Sequence, residues 1–370
     1  MLRQALASRR WHAVLSDRGV LALEGVDSRK LLQGLTTTNV DQLDDGKPLY
    51  TGFLNAQGRV LGAGYLLPAR DGGVVVDIDA AMAGPLAKHL ARYKLRSKVK
   101  ITDQSAEFTV GVCGGPDLEV GPPADGLAGD GAAWCDPRLA YLGWRALLPR
   151  DSGGGVLAPS SSTAAPPALH ALLQTLLGTS DDVGALPPGS ALPLESNLEL
   201  LAGVTFDKGC YIGQELTART HSRGVVRKRL MPVVAAAVAA RAAECPDAHP
   251  PHALAHLPPA ECALAAALPL EEWARAWDAA AGAGQGPQGQ EGSAGGAVDD
   301  TADGGEGGSL SGAGGKSLGK LRRFDPSLGA GVALCRLEAL GGGALTTAEG
   351  VELVAVRPSW WPRWVGADAQ

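Results

Sequence analysis

Aromatic residues make up 5% of this 370-residue chain, and there are only three methionines. Six cysteines stand at 113, 135, 210, 245, 262 and 335, with no CxxC pair and no histidine at finger spacing. That excludes a zinc-finger framework and, in a chain of this length, a small disulfide scaffold. No apolar run approaches the ~18 residues of a spanning helix, so no membrane partner is expected. No GxSxG elbow occurs, which removes serine-hydrolase chemistry. The fragment "GAGGKS" (312–317) has Leu310 where a phosphate loop requires glycine, and more glycine rather than a strand precedes it. A nucleotide site is excluded there.

Apolar residues, at 45%, are enough for sizeable cores. Charge is unevenly placed. Between Val233 and Gly315 there are 11 acidic residues and two arginines, a balance of −9 within a total of −6. The remainder is mildly basic, which suits an anionic small ligand at least as well as nucleic acid. Two basic clusters stand out. One comprises Lys88, Arg92, Lys94, Arg96, Lys98 and Lys100; the other comprises Arg219, Arg223, Arg227, Lys228 and Arg229. Only Tyr93 is interleaved in the first, so no nucleic-acid partner is expected. Most of these cations belong on solvated faces, while some, such as Arg219, suit the carboxylates of an anionic ligand.

The first 16 residues hold Arg3, Arg9 and Arg10, two serines and no acid. This is the composition of an organellar presequence and equally of an ordinary frayed terminus. From Arg18 the pattern becomes globular. "GVLALEGV", "LYTGFLNAQGRVLGAGYLL", "GGVVVDID", "SKVKITD" and "EFTVGVCGG" read as strands, the second as two joined by a turn at Asn55–Gly58. "DSRKLLQGLTT", "MAGPLAKHLARYKL" and "PPALHALLQTLLG" read as helices, the first capped by Asp27. Hairpin-like strands among helices predict an α+β fold with antiparallel sheets. The Ala-, Gly-, Pro- and acid-rich stretch 233–315 reads as a disordered low-complexity insertion, relieved only by an amphipathic helix around Trp273 and Trp277. Short strands return from Lys316 to 366, and with the strand of 224–232 they predict a small barrel or sandwich.

The most informative stretch is "DKGCYIGQELTART", from Asp207 to Thr220. Gly209 and Gly213 bracket Cys210, and good helix formers follow. A helix starting near Cys210, with Lys208 two residues away, would favour the thiolate. The alternative is a small buried thiol at a tight strand-to-helix junction. Upstream, Glu195 and Asn197 offer a carboxylate and an amide that could clamp a ring bearing donors and acceptors. Ser196 or Asn197 could also cap a helix "LELLAG" with the acid near its first turn, and both readings can hold together.

The stretch "LPLESNLELLAGVTFDKGCYIGQELTARTHSRGVVRKRL" closely resembles the signature of the folate-binding iron–sulfur assembly factors, relatives of the glycine-cleavage T-protein, an aminomethyltransferase. The Lys-Gly-Cys-Tyr-x-Gly-Gln-Glu core at 208–215 distinguishes the assembly-factor branch. "RGVLALEGVDSRKLLQGLTTTNV", "TGFLNAQGRVL", "YKLRSKVKI" and "GVALCRLEAL" resemble further blocks. The likeness covers roughly residues 17–113, 134–150, 168–232 and 316–364, and points to the eukaryotic mitochondrial members.

The resemblance implies a T-protein-like three-part cloverleaf: two α+β subdomains within 17–230, divided near 100, and a C-terminal β-barrel, around a central channel for tetrahydrofolate. It implies a mitochondrial presequence over 1–16, a place in the matrix, and a role in late maturation of [4Fe–4S] enzymes. A scaffold protein carries the cluster, with transient cluster contact. Lys208 and Cys210 carry over as the reactive pair at the channel mouth. Glu195, Asn197, Asn55, Gln57, Arg59, Tyr211, Gly213, Gln214 and Arg219 are the expected folate contacts. One departure matters. Aminomethyltransferases place paired aspartates just after the early hairpin, where this chain has Gly62 and Ala63. A folate-dependent one-carbon transferase and a non-catalytic interaction scaffold stand as the alternative readings.

Overall fold

The computed structural model describes residues 1–43, 47–69, 72–118, 132–150, 162–245, 248–282, 308–341 and 343–366. The chain opens with α1 (Leu2–Leu6) and β1 (Trp11–Leu15). These elements fall within residues 1–16, the stretch expected to be a presequence. β1 pairs along its whole length with an internal strand, and Leu2, Ala5 and Trp11 are fully buried. Cleavage at residue 16 would remove a strand from the sheet.

The first sheet contains β2 (Arg18–Glu24), β3 (Leu49–Leu54), β4 (Val60–Pro68), β5 (Val74–Asp79) and β6 (Lys100–Asp103). Their spatial order is β3-β4-β5-β2-β6, antiparallel throughout. Helices α2 (Ser28–Gln33) and α3 (Ala80–Lys94) join its core, where Leu32, Phe53, Val76, Ile78, Leu86 and Leu90 cluster. Leu86 and Leu90 lie one helical turn apart, which puts both on the buried stripe. Asp27 precedes α2, but its side chain makes no cap bond there. It accepts instead from the Lys98 backbone N–H at 2.7 Å, tying the entry of α2 to β6.

The second sheet is built from β7 (Phe108–Gly114), β8 (Ala132–Cys135), β9 (Trp144–Pro149) and the short β10 (Thr163–Ala164), with β1 as its second strand in the order β10-β1-β7-β9-β8. The division between the sheets falls after Asp103, although β1 crosses it. Helix α4 (Pro167–Leu177) packs on this sheet, begun by a proline at its first turn and ended by Gly178 in the left-handed region.

A buried ionic joint fastens the two sheets. Asp77 of β5 takes Arg18 of β2 on one oxygen and Arg145 of β9 on the other, each at 2.6 Å. Asp136 and Arg138, after β8, pair at 2.9 Å beneath the Tyr50 and Tyr65 rings, and Asp181 lies 3.4 Å from Arg138. Burial alone would raise the Asp181 carboxyl, but Arg138, Arg18 and Arg145 outweigh it and hold the group at about 2. Three carboxylates thus offset three guanidiniums, the condition under which buried charge is tolerable.

After α5 (Gln214–Arg223) comes a closed barrel of β11 (Lys228–Ala235), β12 (Ser309–Ser311), β13 (Ser317–Asp325), β14 (Ala330–Arg336), β15 (Leu345–Thr346) and β16 (Glu352–Ala355). The order is β11-β14-β13-β12-β15-β16, and β16 pairs back to β11. The barrel therefore draws strand residues from both ends of the stretch expected to be a disordered insertion. That expectation is corrected further by α6 (Ala236–Glu244), α7 (Pro259–Ala267) and α8 (Leu270–Gly282). Leu254, Leu264, Leu268, Trp273 and Ala274 join the same core as Trp11 and α4. Ala253, Ala265 and Ala274 are fully buried there, and a few leucines supply the larger buried area. Of this stretch, residues 246–247 and 283–307 lie outside the described residues.

Candidate functional site

Between α4 and α5 the chain forms successive turns rather than the expected helix "LELLAG", with Asn197 and Ala202 at φ of 60° and 57°. Asn197 is fully buried. Its amide donates to the Leu230 carbonyl at 2.7 Å, and its oxygen accepts from Arg229 at 3.2 Å. Arg229 also donates to the Leu194 carbonyl and to Glu199 at 2.6 Å. The Asn197 side chain is therefore spent on fastening the turn to β11, which corrects its assignment as a ring-binding amide. Glu195 differs. It is half-buried, its backbone carbonyl accepts from Leu230, and its carboxyl remains apart from that anchorage. Burial raises the carboxyl, while Lys228, Arg59, Arg322 and Arg229 act in the opposite direction. An acid among four cationic side chains is an amphoteric patch, able to meet both a donor edge and an anionic group.

The early hairpin turn lies against the start of α5. The Asn55 side chain shapes the turn itself, its oxygen accepting from the backbone N–H of Gln57 at 3.0 Å and of Arg59 at 2.9 Å. Arg59 reaches the Ser190 carbonyl at 2.9 Å. Gly213 has φ of 77°, and a Cβ there would stand 2.3 Å from the Asn55 carbonyl oxygen. Backbone meets backbone at this point, which is the physical reason for glycine in the motif. Gln214 completes the junction, its side-chain oxygen accepting from the Tyr211 N–H at 3.0 Å. Asn55, Gln57, Arg59, Tyr211, Gly213 and Gln214 are thus brought together, largely by contacts that hold a shape.

Cys210 is exposed, four residues ahead of α5. The buried-junction alternative fails for that reason. The activated-pair reading also needs correction. The Lys208 ammonium donates to the carbonyls of Gln33, Thr36 and Thr38 at 2.8, 2.7 and 2.7 Å. An ammonium has three protons, and all are committed to the loop after α2, leaving none for the thiol. Burial lowers the Lys208 pKa to about 8, against the pull of Asp41. Lys208 also lies 5.0 Å from the centre of the Tyr211 ring, and burial raises the Tyr211 hydroxyl to about 12. The cysteine is consequently a tip held out on a loop anchored at both ends, by Lys208 on one side and Gly213 on the other.

Arg219 lies apart from these groups. It lines an open depression of about 720 Å³ together with Phe206, His221 and Arg223, and Cys210 does not line it. There the Phe206 and His221 rings stack with centroids 3.6 Å apart. The sequence carried no signal for that pair, since fourteen residues separate them.

Comparison with known proteins fits this geometry. Residues 227–363, which include the closed barrel, match the family described as CAF17, C-terminal beta-barrel domain. The crystal structure of glycine cleavage system aminomethyltransferase T from Bartonella henselae superposes with a TM-score of 0.63, over 97% of this chain and 88% of that one, at 12% identity. That likeness is one of fold. The chain is therefore an α+β protein of the T-protein type, closed by a CAF17-type barrel. More particularly, its sequence is similar to proteins named mitochondrial iron–sulfur cluster assembly factor IBA57. Identity is 36% over 232 residues to the Neurospora crassa homolog, covering 60% of this chain and 52% of that protein. It is 38% over 235 residues to the Mus musculus protein, covering 59% and 64%, and 40% over 238 residues to the Homo sapiens protein, covering 59% and 65%. The chain spans between about half and two thirds of the length of these relatives.

Proposed function

We propose that this chain is a maturation factor for [4Fe–4S] proteins of the mitochondrial matrix. It binds tetrahydrofolate and presents Cys210 to a cluster carried by a late-acting scaffold protein. The observation that carries this reading is the exposed thiol on a loop fixed at both ends by Lys208 and Gly213. Thiolates are the usual protein ligands of iron–sulfur clusters, and a bulky cluster on another protein can reach only a projecting one. The names of the similar proteins, mitochondrial iron–sulfur cluster assembly factors, support this reading.

The folate part of the proposal rests on Glu195 and its cationic neighbours. A half-buried acid suits the donor edge of a pteridine, and Arg59 and Lys228 suit the carboxylates of a glutamyl tail. Tetrahydrofolate bound there would supply a carrier for one-carbon groups. Gly62 faces Ile78 and Met82, and Ala63 is buried beside Tyr50 and Tyr65. The stretch where aminomethyltransferases hold aspartates is therefore apolar core, which disfavours the transferase reading.

The test is complementation of cells lacking the endogenous factor. Cys210→Ala should fold with unchanged melting temperature and fail to restore [4Fe–4S] enzyme activity. Full restoration would end the cysteine proposal. Calorimetric titration with tetrahydrofolate should show binding that Glu195→Gln weakens at least tenfold. Absence of binding at high micromolar ligand would leave an interaction scaffold as the better reading.

A further inference from the structure

The first basic cluster is not absorbed by this function, and the fold gives it a shape. Two of the most exposed large apolar side chains among the described residues are Val26, at 81%, and Leu95, at 86%. They come from separate loops that the fold brings together. Glu24 pairs with Lys100 across β2 and β6, and Asp27 holds the Lys98 N–H. Asp27, Lys30, Leu95, Arg96 and Ser97 line one shallow depression. The two loops, residues 24–30 and 92–100, contain seven cations (Arg29, Lys30, Arg92, Lys94, Arg96, Lys98 and Lys100) against Glu24 and Asp27, a local charge of +5 on a chain of net −6. Glu24 is already paired with Lys100 at 3.3 Å.

Leu95 also sits at φ 45°, ψ −111°, a conformation that favours glycine. The chain thus holds a leucine in a strained position with its side chain in water. We propose that this face docks the protein peripherally on an anionic lipid bilayer, with Leu95 and Val26 entering the interface and the surrounding cations meeting headgroup phosphates. Charge complementarity selects anionic lipid. The form of the patch selects a bilayer over a protein partner. Its apolar residues are tips rather than a flat core, and no aromatic residue lines the depression between them, whereas the cores of protein interfaces are enriched in aromatics. No helix among the described residues is long and apolar enough to cross a membrane, so the attachment would be to one surface.

The experiment is co-sedimentation of the full chain with phosphatidylcholine vesicles, with and without about a quarter of phosphatidylglycerol, at low and high salt. Binding should require the anionic lipid and fall with salt. Lys30→Gln and Arg96→Gln should each weaken it about fivefold, the loss expected for one cation at such a surface. Leu95→Gly separates the proposal from a structural role. It should reduce binding while leaving the melting temperature unchanged or higher, because it relieves the backbone as it removes the tip. No binding to anionic vesicles would overturn the proposal. So would binding that Leu95→Gly and Lys30→Gln leave intact. If an acidic peptide such as polyglutamate is captured through Lys30 and Arg96 while vesicles are not, the face is a protein-docking surface and the lipid proposal fails.

Discussion

At the residue scale, the motif divides into residues that hold a loop and the one the loop exposes. Lys208 and Gly213 hold a loop, and Cys210 is what the loop holds out. Substitutions should separate the two roles. Gly213→Ala forces a Cβ against the Asn55 carbonyl at a left-handed φ, so it should cost at least about 1–3 kcal/mol in chemical denaturation. Cys210→Ser, on the surface, should stay within about 0.5 kcal/mol of wild type. Equal stability of Gly213→Ala and wild type would mean that the hairpin and α5 do not meet as described. The motif's composition was legible in the sequence. The destination of the Lys208 ammonium was not, because its acceptors are backbone carbonyls of residues 33–38, and carbonyls carry no sequence signature.

At the element scale, the main surprise is α6 to α8. Composition pointed to disorder, yet these helices and the short turn at 252–254 before α7 cover α1 and α4 with Leu264, Trp273 and Leu254. Trp273 also donates to Asp325 of β13 at 3.2 Å, linking the helical segment to the barrel. Trp273→Ala should destabilise the protein by about 3–5 kcal/mol, and Leu254→Ala by about 2–5 kcal/mol, measured by urea denaturation. Near-neutral effects at both positions would return the segment to the status of a passive insert. Strand β1 escaped notice for a related reason. "WHAVL" is short and follows arginines, and only pairing with β7 and β10 makes it a central strand.

At the scale of the whole molecule, the buried ionic joint sets how the protein responds to acid. His170 of α4 is buried near this joint, and burial, with the fields of Arg145 and Arg138, lowers its pKa to about 3. The unfolded chain binds that proton near pH 6.5. Between about 6.5 and 3 the unfolded state therefore holds more protons than the folded state, and stability falls as pH falls, by up to about 1.4 kcal/mol per pH unit. His12, His89 and His256, also lowered by burial, act in the same direction. Asp181, depressed to about 2, adds its own loss only below about pH 4. Urea midpoints at pH 7 and pH 5 should differ less in His170→Gln than in wild type. Equal differences would show that the fold does not keep His170 neutral.

The sequence by itself determined the α+β class, most of the hairpins and helices from Arg18 to Leu177, the barrel strands outside 233–315, and the stretch that carries the candidate site, because periodicity and glycine placement are local properties of the chain. Tertiary structure alone decided that α1 and β1 belong to the folded body and that an alanine-rich segment is helical and packed. It also decided that Asn197 and Lys208 face inward while Cys210, Leu95 and Val26 face out. Those outcomes depend on which distant backbone groups and apolar faces come within reach, and proximity of that kind is created only when the sheets, helices and barrel close on one another.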